Sequence, residues 1–162
     1  MTTLQRTLNF LDRKAIEYAH TKPPHAHTAR EIAKVGHITP HTLAKTVVFH
    51  SSLGYGMAVL PADEFVNFEG LRGLLGVATV RLVSEEELAE LFPEGELGAM
   101  PPLGHLFGLP VFVDRSLLGP INIAFNAGTH RDLIHIGVND FLRLTNPVVC
   151  DFAMRLESVA SL

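Results

Sequence analysis

The chain has 162 residues, of which 47% are hydrophobic and 19% charged, with a net charge of −4 and a mean hydropathy of +0.23. This is one domain's worth of sequence with enough apolar material to bury a core, which excludes a disordered chain. No apolar run reaches the roughly 18 residues of a membrane span, residues 1–14 lack the apolar stretch of a signal peptide, and a single cysteine excludes both an intramolecular disulfide and a Cys-rich zinc site, so a reducing, cytoplasmic setting is expected.

The charge is unevenly spread. Residues 1–50 carry seven Lys/Arg against three Asp/Glu, whereas residues 51–100 carry two against nine. A basic face can therefore form from the N-terminal third, although solvated scatter explains the same counts. Few cations are available for a long duplex footprint, and the absence of Trp with only two Tyr weighs against a large base-stacking platform. DNA and membranes are not expected partners.

Leu4, Leu8, Leu11 and Ala15 recur at helical spacing and predict an amphipathic helix from Thr3 to about Ala15. A short strand is expected over Ile16–His20, ended by Lys22-Pro23-Pro24. Thr28 and Glu31 form a capping box that opens a helix over Ala29–Val35, closed by Gly36. Lys45–His50 and Tyr55–Leu60 are β-rich runs around Ser51-Ser52-Leu53-Gly54 and predict a hairpin. A helix over Asp63–Leu75 and a strand over Val77–Val83 follow. Ser84 and Glu87 then cap a helix running to Phe92, whose acidic first turn suits the helix dipole and accounts for much of the central negative charge. Pro93–Gly108 reads as loop. Strands are expected at Pro110–Val113, Ile121–Phe125, Leu133–Ile136 and Val148–Phe152, with a helical turn at Asp140–Leu144. The interleaving predicts an α/β single domain over residues 1–162, with a mixed, mostly antiparallel central sheet and helices packed around it.

No Gly-rich nucleotide loop, zinc-protease helix, Cys pair or serine-hydrolase elbow is present. Cys150, in an apolar run, reads as core. His25, His27, His37 and His41 have spacing a transition metal can use, but no carboxylate or Cys falls at matching spacing, so no metal and no cofactor are expected. Three places carry more. Lys45 opens the most β-branched strand; it is either a solvated edge charge or an anchor for an anion. Gly98-Ala99-Met100-Pro101-Pro102 is a stiff loop whose amides suit an anionic oxygen, with a plain connector as the alternative. Gly128-Thr129-His130 ends a strand in a turn that presents a histidine, as a cap or as a functional group.

The order of these features is more specific than any one of them. The strand lysine in Ala44–Phe49 (AKTVVF), the GxxxP loop at Gly98–Pro102, Gly108–Asp114 (GLPVFVD) and Phe125–His130 (FNAGTH) resemble the YbaK/ProX family. These are aminoacyl-tRNA deacylases, free-standing relatives of the editing domain inserted in bacterial prolyl-tRNA synthetases. The resemblance covers about residues 16–152. It implies a trans-editing hydrolase that cleaves a small amino acid, Ala or Cys, from mischarged proline tRNA. It also implies that Lys45 anchors the phosphate or the oxygens near the ester, that the 98–102 amides hold the carbonyl, and that His130 shapes the amino-acid pocket and tilts the choice toward alanine.

Thr46, Phe49, Gly128 and Thr129 are expected to bind substrate, with Leu60, Ile123 and Phe125 as further apolar positions for a pocket wall or ordinary core. Arg30, Lys34 and Lys22 are expected to meet the tRNA acceptor end, with a synthetase or elongation factor as a helper that delivers it. The competing readings are a catalytically silent module that binds aminoacyl-tRNA or regulates, and a small-ester or amide hydrolase that ignores tRNA.

Overall fold

The structure, a computed structural model, describes residues 1–22 and 38–155. The helix expected over Ala29–Val35, with its Thr28 cap, Arg30 and Lys34, lies outside the described residues. In chain order the elements are α1 (Thr3–Arg13), β1 (Tyr18–Thr21), β2 (Leu43–Ser51), β3 (Gly54–Pro61), β4 (Glu64–Val66), α2 (Phe68–Leu75), β5 (Val80–Leu82), α3 (Glu85–Leu91), β6 (Val111–Asp114), β7 (Asn122–Asn126), β8 (Leu133–Gly137), α4 (Val138–Thr145), β9 (Val148–Cys150) and β10 (Ala153–Arg155). Single 3-10 turns occupy Gly104–Leu106 and Arg115–Leu118.

The main sheet runs β1-β8-β7-β2-β3-β6-β9, with β5 added to β2. Parallel pairing occurs at β2–β7, β3–β6 and β6–β9, and the remaining pairs are antiparallel. This is the mixed α/β architecture expected. Strand alternation divides the interior in two. Val48, Met57, Val59, Val113, Ile123 and Phe125 join Phe10 and Leu11 of α1 and Phe141 of α4 on one face. Phe49, Ala58 and Leu60 pack with Leu71 of α2 and Phe152 on the other. Gly56, opposite Phe49 in the β2–β3 register, leaves room for that ring, because a Cβ there would lie 2.5 Å from its Cζ.

Several local expectations shift for physical reasons. The first helix stops at Arg13, with Lys14 as its cap and Ala15 in the left-handed region at φ 54°. It starts with a Thr2–Gln5 capping box that the pattern T-x-x-Q carries openly. The helix expected from Asp63 begins only at Phe68, since the Asn67 side chain accepts from the Gly70 N–H and Glu64–Val66 is drawn into a two-stranded ribbon with β10. The strand expected over Val77–Val83 shrinks to the three residues that pair with Phe49–Ser51. The last strand ends at Cys150, where the Asp114 carboxylate takes the N–H groups of Phe152 and Ala153 at 2.7 and 2.8 Å and turns the chain toward β10. Cys150 is half-buried beside the second cluster rather than fully in the core, and burial pushes its thiol up. Among the described residues no helix is long and apolar enough to cross a membrane.

Candidate functional site

One edge of β2 is fully paired with β3. The other edge is shared between two strands that do not meet: β7 pairs only at Leu43 and Ala44, and β5 only from Phe49 to Ser51. The Val83 N–H also reaches the Val48 carbonyl at 3.3 Å, so residues 45–47 face a split in the sheet. Thr46 lies in this split, and its hydroxyl is buried without a hydrogen-bond partner among the described residues. An orphaned buried hydroxyl costs about 1–3 kcal/mol, and native folds rarely carry one without a ligand or water to satisfy it.

Lys45, the neighbour of Thr46, points to the opposite face by strand alternation. Its Nζ lies 4.9 Å from the centroid of the Phe65 ring on β4, a cation–π distance. Burial pushes the ammonium below the usual lysine range, while the carboxylates of Asp63 and Glu64 pull it back up. Glu64 is itself buried and accepts from the Ser116 hydroxyl at 2.7 Å. Lys45 is therefore no solvated edge charge. It is a half-buried cation held between an aromatic face and two acids, with capacity left for an anion.

At the end of β7 the chain turns through residues 126–132. Gly128 has φ 94°, and a Cβ there would sit 2.7 Å from that of Thr3, so glycine is needed both for the turn and for the approach of α1. The Thr129 hydroxyl donates to Asp132 and accepts from the N–H groups of Arg131 and Asp132. Asp132, 2% exposed, also meets His20 Nε2 at 2.7 Å. Burial alone would raise its carboxyl, but the Thr129 and His20 hydrogen bonds override that and hold it below the usual range.

The same turn clasps the GxxxP loop. Gly128 N–H donates to the Ala99 carbonyl at 2.8 Å, Glu96 N–H to the Gly128 carbonyl at 2.8 Å, and His130 Nε2 to the Leu97 carbonyl at 2.8 Å. That bond places the proton on Nε2 and leaves Nδ1 of a neutral ring as an acceptor. His130 thus caps the loop, and it remains exposed. The expectation of a row of free amides narrows considerably. Pro101 and Pro102 have no N–H, and Ala99 N–H is spent on the Glu96 carbonyl at 3.1 Å. Gly98 and Met100 are left as the two loop donors without an acceptor among the described residues. Unpaired backbone amides are the donor type an oxyanion site uses.

The structure therefore brings Gly98, Ala99, Gly128, Thr129 and His130 together. The Lys45 ammonium is not in contact with this group: it lies with Phe65, Asp63 and Glu64, and the link to the turn runs through the backbone, where its neighbour Ala44 pairs with Phe125. A cavity of about 390 Å³ beside the turn is lined by Lys22, Glu96, Gly128, Thr129 and Asp132 among others, and Lys45 does not line it. Phe49, Leu60, Ile123 and Phe125 are at most 2% exposed and fill the two cores, so they offer no open wall. Sequence reasoning missed Phe65, Asp63 and Glu64 around Lys45, and Asp132 and His20 behind the turn. Phe65, Asp63 and Glu64 lie 18 to 20 positions from Lys45 and His20 lies 112 from Asp132, whereas Asp132 is only three residues from Thr129 and was within reach of a local reading. His41 stands with Asp63 and Glu64, their ligand atoms within 4.8 Å of one another. The carboxylates absent from the histidine spacing are thus supplied by the fold, in a cluster that faces the Lys45 ammonium.

A family model described as an aminoacyl-tRNA editing domain matches residues 23–144, about three quarters of the chain. Among curated proteins, the proline–tRNA ligase of Thermosipho africanus is 32% identical over 87 residues, covering 52% of this chain and 15% of the ligase. That of Heliobacterium modesticaldum is 29% identical over 116 residues, 70% of this chain and 20% of the ligase. The chain thus spans about a fifth or less of these relatives. A crystal structure described as a candidate trans-editing enzyme for prolyl tRNA synthetase superposes with a TM-score of 0.81 at 24% identity, covering 95% of this chain and 98% of the other. Its likeness speaks to the fold, whereas the family match is to the sequence and spans the residues from 23 to 144, within which Lys45, the 98–102 loop and the 128–130 turn fall. The chain belongs to the aminoacyl-tRNA editing domain family.

Proposed function

We propose that the protein is a trans-acting deacylase that hydrolyses the ester between a small amino acid, Ala or Cys, and the terminal ribose of proline tRNA. The reading is supported by a half-buried cation and an orphaned hydroxyl on neighbouring residues of β2, the strand whose Ala44 pairs with Phe125 just before the turn that clasps a loop with two unused amides. An aminoacyl ester is already activated, so catalysis needs held geometry, fixed charge and donors aimed at the developing oxyanion more than a protein nucleophile. In this scheme Lys45 holds the phosphate or ribose oxygens at the 3′ end. Thr46 gives its hydroxyl to the substrate, Gly98 and Met100 receive the carbonyl oxygen, and water attacks with no covalent intermediate. His130 holds the loop at its working distance and lends Nδ1 to the amino-acid end.

Size selection follows from the modest discrimination of a synthetase site. A missing methylene is worth only about 1–3 kcal/mol, so smaller amino acids slip through and a second, tighter site removes them. The resemblance to proline–tRNA ligases supports proline tRNA as the adaptor and a synthetase or elongation factor as the source of the substrate, in the cytoplasm. Purified protein incubated with alanyl-, cysteinyl- and prolyl-tRNA-Pro tests the reading. Release of Ala or Cys with prolyl-tRNA spared is expected. Retention of charged tRNA without release would replace catalysis by a binding role, and cleavage of small aminoacyl esters without dependence on tRNA would make it a general esterase.

A further inference from the structure

The outer side of α1 carries a basic groove that the site above does not use. Two hollows of about 360 and 570 Å³ share His105 and adjoin along α1, which contributes Phe10 and Lys14 to one and Arg6 and Arg13 to the other. Arg143 of α4 lines the smaller hollow. Arg6 is partly committed, donating to the Leu106 carbonyl and lying 5.3 Å over the Phe107 ring. Arg13 and Lys14 have no acidic partner among the described residues. Asp12 also lines the larger hollow, where its carboxylate accepts from the Tyr18 hydroxyl at 2.9 Å, and Asp140 pairs with Arg143, which leaves Arg13 and Lys14 as the groove's uncompensated cations among the described residues. The helix dipole accounts for Arg13 and Lys14 at the end of α1. The same holds for Arg143 in the last turn of α4, but neither dipole accounts for His105 and Arg6 reaching the same open groove in a chain of net charge −4.

The groove is also placed at a fixed distance from the site. α1 begins against Gly128 of the GTH turn, the larger hollow runs along it from Met1 and Arg6, and Arg13 and Lys14 mark the far end. The 11 residues of the helix set those two cations roughly 16 Å from the turn at 1.5 Å rise per residue. We infer that this groove seats the sugar-phosphate backbone of the acceptor stem of the RNA whose 3′ end occupies the β2 split. The inference rests on the proposed tRNA substrate and adds to it a second contact, one that reads backbone charge and sets how far the stem lies from the reacting ester. Phosphates suit the groove because a few cations lining a hollow hold them while releasing counterions, and phosphate contacts fix register without reading sequence.

The test uses a synthetic acceptor-stem hairpin RNA ending in CCA, uncharged and charged with alanine, against the wild-type protein, Arg13→Glu/Lys14→Glu and the milder Arg13→Gln/Lys14→Gln. Charge reversal is expected to weaken binding of the uncharged hairpin by about tenfold or more, and the neutral pair to flatten the slope of log affinity against log salt by nearly two, one per lost phosphate contact. With the charged hairpin, kcat/KM should fall by the same factor, while hydrolysis of an alanyl-CCA trinucleotide should be unchanged. Unaltered hairpin binding, or an equal loss on the trinucleotide, overturns the inference. Displacement of the hairpin by polyglutamate at matched charge would overturn it in favour of an acidic protein partner. Because binding is read on uncharged RNA, failure of the groove and failure of the deacylase reading give different results.

Discussion

The amide of Gly128 donates to the carbonyl of Ala99 at 2.8 Å, and this one bond joins two segments that lie far apart in sequence into a single wall of the site. Around it the Glu96–Gly128 and His130–Leu97 bonds form a clasp, so the GxxxP loop has no independent geometry. Whatever fixes the turn at 126–132 fixes the loop donors as well.

Gly128→Ala should therefore act on the fold and the site together. The residue sits at φ 94°, and its added Cβ would meet Thr3 at 2.7 Å. The backbone strain alone costs about 1–2 kcal/mol, and the clash displaces α1 or the turn. A lowered Tm and a fall in kcat larger than the change in KM are expected. A variant with wild-type Tm and kcat would show that the clasp does not set the loop.

Lys45→Ala should abolish deacylation and leave the Tm near wild type, because the side chain is only half-buried and no hydrogen bond among the described residues depends on it. Phe65→Ala should raise KM several-fold by freeing the amine from its aromatic support, a contact worth about 0.5–1 kcal/mol at exposed sites. An active Lys45→Ala enzyme would remove the anchor from the scheme.

The alkaline limb of the rate profile should report the same amine. Burial lowers the Lys45 pKa from its ordinary 10.5, so the charged form, and with it activity, is lost as pH rises through a value below 10.5. Asp63 raises that pKa, so Asp63→Asn should move the limb to still lower pH. The measurement is kcat/KM against pH after subtracting spontaneous ester hydrolysis. A limb that does not move would place the titrating group elsewhere.

Acid should unfold the protein through two buried carboxylates. Burial raises the Asp114 carboxyl, but hydrogen bonds from Ser116, Phe152 and Ala153 override it, as those from Thr129 and His20 do at Asp132. Both therefore sit below the ordinary 3.8 in the folded state. Their stabilisation is fully present above the unfolded value and drains away as pH falls through the lower folded values. Asp114→Asn and Asp132→Asn should lower stability at pH 7 and flatten its decline between about pH 4 and 2, measured by urea unfolding across that range. His135, lowered by burial, adds a loss that begins as pH falls below its ordinary 6.5.

Local chemistry was enough to read much of this protein directly from its residues. The β-rich runs around Ser51–Gly54 became the antiparallel hairpin of β2 and β3, the Ser84–Glu87 capping box opened α3, and the mixed sheet formed as the interleaved pattern required. Capping and alternation act within a few residues, so the sequence determines them unaided. It also carried Lys45, the GxxxP loop and the GTH turn, because their order survives as a motif. The tertiary structure alone decided what surrounds them. β4 exists because β10 pairs with it, and only that ribbon puts Phe65 under the lysine. The split at residues 45–47 exists because β7 and β5 stop short of each other on one edge. Asp132 reaches His20 across 112 positions of chain. Long-range pairing has no local signature, since its free energy comes from burial and hydrogen bonds between segments that meet only once the chain has folded.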